Sequence, residues 1–243
     1  MPLETVREVE AELRAAGVSS PRVDAEILVG EILGLSRSAL YSSRREVTGA
    51  ELARLRPLVD RRVAREPLAY VLGEWGFRHL LLKVDARALI PRPETEVVVE
   101  RCLEHLERIA EPRVLDLGVG SGAIALAIAD EHPGARVVAV DRSEAALALA
   151  GENRARTLTD GRVGLVHGNL FDAVEGPFDL VVSNPPYVLP EEYETLEPEI
   201  RLYEPAEAVV GAGVAETVAA GARAVLAPGG RLVLECGDGQ AAT

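Results

Sequence analysis

The sequence predicts a doubly wound, mostly parallel α/β sheet, preceded by a small all-helical unit and a β-hairpin that links the two. Three observations carry this expectation. The first seventy residues place apolar side chains at helical spacing, the stretch from Phe77 to Val84 switches to alternation, and from residue 113 onward short apolar runs alternate with helical segments. The third observation decides the class, because strands joined by crossover helices pair in parallel.

Taken in order, Val6, Val9 and Leu13, then Val23, Ile27, Leu28, Ile32 and Leu33, recur at helical intervals, with breaks at Gly17, Ser36 and Gly49. Leu52, Leu55, Leu58, Val59 and Val63 predict one more helix, and Phe77, Leu80, Leu82 and Val84 alternate as a hairpin does. The prolines of Ile90-Pro91-Arg92-Pro93-Glu94-Thr95-Glu96, with Thr95 expected as the cap, open a helix through Val97, Val98 and Leu103. Strands are expected near 113–117, 136–141, 162–167, 179–183 and 230–235. The predicted domains are a helical unit over 1–72, a hairpin linker over 73–90 and the sheet domain over 91–243. In such a sheet ligands bind where the strand order reverses, which here gathers Gly118, Asp141 and Asn184 at one edge.

Val114-Leu115-Asp116-Leu117-Gly118-Val119-Gly120-Ser121-Gly122-Ala123 reads as a buried strand that breaks into glycines and then a helix from Ile124 to Ala129. The glycines let backbone approach a ligand closely. The spacing Gly118-x-Gly120-x-x-Ala123 fits the loose dinucleotide pattern and leaves a nicotinamide cofactor and S-adenosylmethionine both open. Asp141 ends the next strand, where a carboxylate can accept both hydroxyls of a ribose; the simpler reading is a residue near the N-cap of the helix that follows Ser143. Acids at Asp116 and Asp141, with no Lys or Arg in the glycine turn, favour a cationic sulfonium over an anionic pyrophosphate. The reading therefore tilts to S-adenosylmethionine.

The fourth strand runs into Asn184-Pro185-Pro186-Tyr187. An amide or aromatic amine is a weak nucleophile because its lone pair is delocalised, so an enzyme that alkylates it must grip and aim it. The Asn184 side-chain oxygen and the Pro185 carbonyl can each accept one N–H of a planar NH2 group. Consecutive prolines stiffen that loop, and Tyr187 offers a flat face to a planar group. An isolated Asn-Pro would be read as a turn; its place downstream of the glycine strand argues for catalysis.

Composition narrows the classes further. The chain has 243 residues, 48% of them hydrophobic, and a net charge of −13. Residues 1–71 hold 11 Arg against 11 Asp or Glu, whereas residues 72–243 hold 15 basic and 28 acidic residues. An acidic catalytic half repels phosphate backbones, which argues against a nucleic-acid substrate. Arg44, Arg45, Arg54, Arg56, Arg61, Arg62 and Arg65 form a basic run, either a solvated face or a patch for an acidic protein partner. Cys102 and Cys236 lie far apart and suggest neither a disulfide framework nor a metal site, and the start has no basic leader. With no apolar stretch long enough to span a membrane, a cytoplasmic monomer is expected.

Arg22-Val23-Asp24-Ala25-Glu26, Arg65 to Gly73, Ile90 to Glu96, the glycine loop and Ser183 to Tyr187 together resemble the release factor glutamine methyltransferase family over nearly the whole chain. Ile90 to Glu96 is the specific part, since an Asn-Pro-Pro-Tyr motif is shared by many methyltransferases that act on planar nitrogens. The resemblance implies a class I, Rossmann-like methyltransferase fold and S-adenosylmethionine as methyl donor. It implies as substrate the glutamine of the Gly-Gly-Gln tip of bacterial class-I release factors, methylated on its side-chain nitrogen. It assigns cofactor contact to Gly118, Val119, Gly120, Ser121, Gly122 and Asp141, catalysis to Asn184, Pro185 and Tyr187, and the substrate amide to Asn184 through Tyr187; Asp116, from its place at the strand end, and Asn184 are also expected against the cofactor. Two departures stand out. Where the family usually places an Asp against the adenine amine, this chain reads Gly168-Asn169-Leu170-Phe171, so Asn169 is expected at the adenine edge with Leu170 or Phe171 packed on the ring. The chain also ends at Thr243, before the final helix and two strands of the usual fold, which leaves an open sheet edge as the expectation. An adenine-N6 nucleic-acid methyltransferase and a non-catalytic cofactor-binding scaffold are the rival readings.

Overall fold

In the computed structural model, which describes residues 1–159 and 161–237, helices α1 (Pro2–Ala15), α2 (Pro21–Leu33), α3 (Arg37–Ser42), α4 (Gly49–Val63) and α5 (Leu68–Leu72) make up one unit, Met1–Gly73. Proline at the first position starts α1 and α2 with φ already set for a helix, and the left-handed Gly34 ends α2. A capping box joins Thr48 and Glu51 at the start of α4. The apolar stripes meet in a core of Val6, Val9, Leu13, Leu28, Leu55 and Val59. Polar groups inside this unit are paired. Arg62, 5% exposed, reaches Asp24 at 2.7 Å, and the buried Glu26 accepts from Arg22 at 2.6 Å and from the Tyr41 hydroxyl and forms an ion pair with Arg37. The arginine run is largely engaged at home: Arg45 pairs with Glu51, Arg56 with Glu12 and Asp60, and Arg61 with Glu66.

The second unit, Glu74–Thr243, opens with the hairpin of β1 (Glu74–Phe77) and β2 (Leu80–Lys83), paired Glu74↔Lys83 through Phe77↔Leu80. Its Phe77 and Leu82 are fully buried in this unit's own core beside Val98, Cys102 and Leu106. Then come α6 (Pro93–Leu106), β3 (Arg113–Leu117), α7 (Ala123–Glu131), β4 (Arg136–Asp141), α8 (Glu144–Thr157), β5 (Val163–His167), β6 (Phe178–Ser183), the short helices α9 (Pro190–Tyr193), α10 (Pro198–Tyr203) and α11 (Ala206–Val209), α12 (Val214–Val225) and β7 (Leu226–Leu234). The five strands β3 to β7 form a parallel sheet in the order β5-β4-β3-β6-β7, as a doubly wound fold requires.

Because side chains alternate across a strand, Val114 and Val182 join the core under α6 and α7, while Leu115, Leu117 and Val181 join the opposite core with Val218 and Ala222 of α12. Two local expectations are corrected. Thr95 does not cap α6: the cap position is the extended Arg92, and Thr95 lies one turn inside. The last strand begins at Leu226 rather than 230, because the Pro228-Gly229-Gly230 turn is absorbed as an irregularity between the Phe178↔Leu226 and Leu180↔Arg231 pairs. Among the described residues no helix is long and apolar enough to cross a membrane.

Candidate active site

Strand order reverses between β3 and β6, since β3 leads outward to β4 and β5 on one side and β6 leads to β7 on the other. A cavity of about 390 Å³ lies at the carboxyl ends of these strands. Its wall takes Gly118, Val119, Gly120 and Ser121 from the turn after β3, Asp141 from β4, Asn169 and Leu170 from the turn after β5, and Asn184, Pro185 and Pro186 from the turn after β6. Residues 87–92 with Pro205, Glu207 and Ala208 close it from outside the sheet.

Local backbone explains why these residues arrive there. Gly118 and Gly120 adopt φ of 78° and 54°, so the chain turns sharply at the strand end with no Cβ facing the cavity. Asp141 Oδ2 accepts the Gly120 N–H and Oδ1 accepts the Ser143 N–H, each at 2.9 Å. The two readings of Asp141 thus coexist: it shapes the turn and still faces the cavity. Ser183, 1% exposed, donates to the Leu117 carbonyl at 2.6 Å and ties the ends of β3 and β6 together. Leu170 holds a left-handed φ of 49°, unusual for a branched-chain residue and characteristic of a constrained loop at a site.

Not every predicted residue comes to the wall. Asp116 is 1% exposed and faces the core under α6 and α7 instead. Neither of its oxygens makes a well-formed hydrogen bond, and burial pushes its pKa up to about 7; the Ala125 N–H opposes that rise and the Asp141 charge adds to it. Gly122, with φ of 91°, belongs to the start of α7, where an added Cβ would fall 2.8 Å from Leu126 Cδ1. Tyr187 is half-buried beside the cavity rather than in its wall. Phe171 packs against α12, within 2.4 Å of where a Gly221 Cβ would sit, so of the two apolar residues only Leu170 faces the cavity.

Asn184 and Pro185 both line the cavity. Asn184 Nδ2 donates to Thr95 Oγ1 at 3.2 Å, while its Oδ1 takes no hydrogen bond among the described residues. Two buried side chains support the site, and of these Asn153 carried no signal in the sequence. Asn153, fully buried, accepts the Lys83 N–H at 2.7 Å and donates to the carbonyls of Lys83 and Ser121 at 3.0 and 2.9 Å, binding hairpin, α8 and glycine turn together. Glu204, 5% exposed, accepts from the Ile90 N–H at 3.1 Å and from Arg92, clasping residues 90–92 over the cavity.

A doubly wound sheet with a glycine-lined cavity at its switch point and an Asn-Pro-Pro turn at the rim defines a methyltransferase of the S-adenosylmethionine-dependent class. Comparison with known proteins agrees: the PrmC N-terminal domain matches residues 4–73 and the methyltransferase small domain matches residues 97–200. The chain is 42% identical over 238 residues to the release factor glutamine methyltransferase of Deinococcus radiodurans, covering 96% of this chain and 84% of that one. It is 42% identical over 237 residues to the same-named protein of Geobacter sulfurreducens, covering 95% and 82%. It belongs to the release factor glutamine methyltransferase family. Against the Fusobacterium nucleatum member, 40% identical over 205 residues, 83% of this chain spans 58% of the relative's length. A solved methyltransferase from Geobacter sulfurreducens in complex with S-adenosyl-L-homocysteine is similar at a TM-score of 0.40, with 22% identity over 62% of this chain and 49% of that one, a likeness too partial to carry argument.

Proposed function

We propose that this enzyme transfers a methyl group to the side-chain nitrogen of the glutamine in the Gly-Gly-Gln motif of class-I peptide-chain release factors, acting in the cytoplasm as a monomer. The single observation that carries the reading is Asn184: its Nδ2 is engaged by Thr95, so Oδ1 is left to accept a substrate N–H beside the rigid Pro185 carbonyl. The names of the relatives supply the substrate, and the acidic surface of the second unit, far from nucleic-acid-like partners in charge, supports a protein over DNA.

The cavity fits the donor. Gly118 and Gly120 leave its floor without Cβ atoms, Asp141 retains acceptor lone pairs toward it, and no Lys or Arg stands in the glycine turn to repel a cation. Bound S-adenosylmethionine supplies an electrophilic methyl carbon. We assign Gly118 to Ser121 to its methionine and ribose portions, Asp141 to the ribose hydroxyls, and Asn169 and Leu170 to the adenine. Asn184 Oδ1 and the Pro185 carbonyl each take one N–H of the glutamine amide, which turns the nitrogen toward the cavity. Pro186 and Tyr187 hold the loop around that amide. No strong base is needed; the second amide proton leaves toward a carbonyl or solvent once the nitrogen is alkylated. Positioning in a site shielded from water provides the acceleration.

The test is transfer of label from radiolabelled S-adenosylmethionine to a purified release factor, with its Gly-Gly-Gln glutamine changed to alanine as control and plasmid DNA alongside. Label on the unaltered factor alone is the expected result; label on DNA would replace this reading by an adenine methyltransferase, and cofactor binding without any transfer by a scaffold. Asn184→Ala should lower turnover about 100-fold with cofactor affinity unchanged. Equal losses in both would remove Asn184 from the grip.

A further inference from the structure

We propose that Glu204 is a positioning residue for methyl transfer: it fixes the first turn of α6 and, through Thr95, sets where the Asn184 amide stands. The inference rests on the amide grip just proposed and names what holds that grip from behind. Between Val188 and Val210 the chain carries seven glutamates, and Glu204 is the one that is buried. A carboxylate leaves water only against partners. Its Oε2 accepts the Ile90 N–H at 3.1 Å and its Oε1 accepts from the Arg92 guanidinium. Arg92 holds the cap position of α6 without making a side-chain cap of its own. The task of a local cap thus falls to an anion 112 positions away in sequence, set at the positive end of the helix.

From Arg92 the contacts run on to the grip without a gap. The Arg92 carbonyl accepts the Thr95 N–H at 3.1 Å, and Thr95 Oγ1 accepts from Asn184 Nδ2 at 3.2 Å. Pro91 and Pro93 flank Arg92 and stiffen the link, so a shift at Ile90 or Arg92 passes into α6 instead of being absorbed before it. Backbone closes the circuit. Just past the grip, the Val188 N–H donates to the Val209 carbonyl and the Val188 carbonyl accepts the Gly211 N–H, each at 3.1 Å. The segment that carries Glu204 is therefore tied to the grip at both of its ends.

The neighbouring parts of the cavity wall have holds of their own. Asn153 bonds the Lys83 N–H at 2.7 Å, Glu152 bonds Arg87 at 2.8 Å, and Arg142 donates to the Glu207 carbonyl at 3.3 Å. Loss of the Glu204 charge therefore releases residues 90–92 and leaves the cofactor walls on either side in place. Alkylation of a weakly nucleophilic amide depends on aim, and a misplacement of about 1 Å costs about 100-fold in rate.

Kinetics and spectroscopy test the proposal separately. Glu204→Gln keeps the shape of the side chain but turns donors toward Arg92 or the Ile90 N–H. It should lower kcat on the release factor about 100-fold, with the affinity for S-adenosyl-L-homocysteine in calorimetry and the far-UV circular dichroism both those of the wild type. Glu204→Asp keeps the charge but is one methylene short of spanning both partners, so it should fold as wild type and lose kcat by a smaller factor. A wild-type kcat in both variants would overturn the proposal and leave the substrate reading standing. Thr95→Val should match the loss of Glu204→Gln, and the double variant should lose no more than either alone, because both residues lie on one path. Losses that multiply would show Glu204 acting apart from Thr95 and overturn the assignment. Independently of activity, the Asn184 side-chain amide can be followed by 15N NMR in the cofactor-free protein, identified as the pair missing from Asn184→Asp. Its protons should be dispersed and slowly exchanging in the wild type and move toward unstructured positions in both Glu204 variants; resonances that stay in place would overturn the proposal. The expected movement in a protein that fails to label a release factor would sustain the positioning role and reject the substrate.

Discussion

At the scale of single residues, Asp116 is the group most at odds with its surroundings. Its pKa near 7, against 3.8 for an exposed aspartate, means that the folded protein keeps a proton the unfolded chain has released. Below about pH 4 both states are protonated and the group is neutral to stability; from there to pH 7 stability falls, and above pH 7 the penalty is constant at ~4 kcal/mol, three pKa units at ~1.4 kcal/mol each. Asp116→Asn should therefore stabilise the protein at pH 8 and give no gain at pH 4, measured by denaturant titration; an equal gain at both would place the effect in packing. The sequence carried the signal for its orientation. Asp116 shares the parity of Val114 in β3, so it faces the α6 side, whereas proximity to the glycines suggested contact with the cofactor. Asn153 offered no such clue, because its partners Lys83 and Ser121 lie 70 and 32 residues away.

At the scale of elements, the grip depends on what presses against it. The segment after α11 meets the Asn-Pro-Pro turn so closely that a Cβ on Gly211 would fall 2.5 to 2.8 Å from the Pro186 carbonyl oxygen, Cγ and Cβ. Gly211→Ala should push Pro186 and Pro185 out of line and reduce kcat about 100-fold, while circular dichroism shows an intact fold. Unchanged turnover would mean that the turn holds its shape without this contact. Element order and strand pairing were legible because period-two and helical patterns alternate so regularly through β3 to β6. The boundaries were less so: Pro228, Gly229 and Gly230 read as a turn that should exclude a strand, and only the register with β6 shows the ladder passing around them. The Glu204 clasp on Ile90 and Arg92 joins residues 114 and 112 positions apart, beyond the reach of local pattern.

At the scale of the whole molecule, the helical unit and the sheet unit were separable by composition, yet the basic run in the former could not be judged until Glu12 and Asp24 were seen beside Arg56 and Arg62. The parallel order of the sheet has a consequence in time. Its central pair, β3 with β6, joins positions 66 residues apart, as at Leu117 and Ser183, and no strand of the sheet has a sequence neighbour to pair with through a tight turn. The helical unit closes over short loops, so its chain entropy is spent in small steps, whereas the sheet must close long ones before contacts repay them. Trp75, the single tryptophan, lies in β1 of the second unit. In stopped-flow refolding the far-UV helical signal should lead and Trp75 fluorescence should lag; one shared rate would show that the two units fold as one. On the ribosome the same topology withholds the Asn184 turn until β6 has emerged, so the glycine turn after β3 is made well before the residues that complete the site around it.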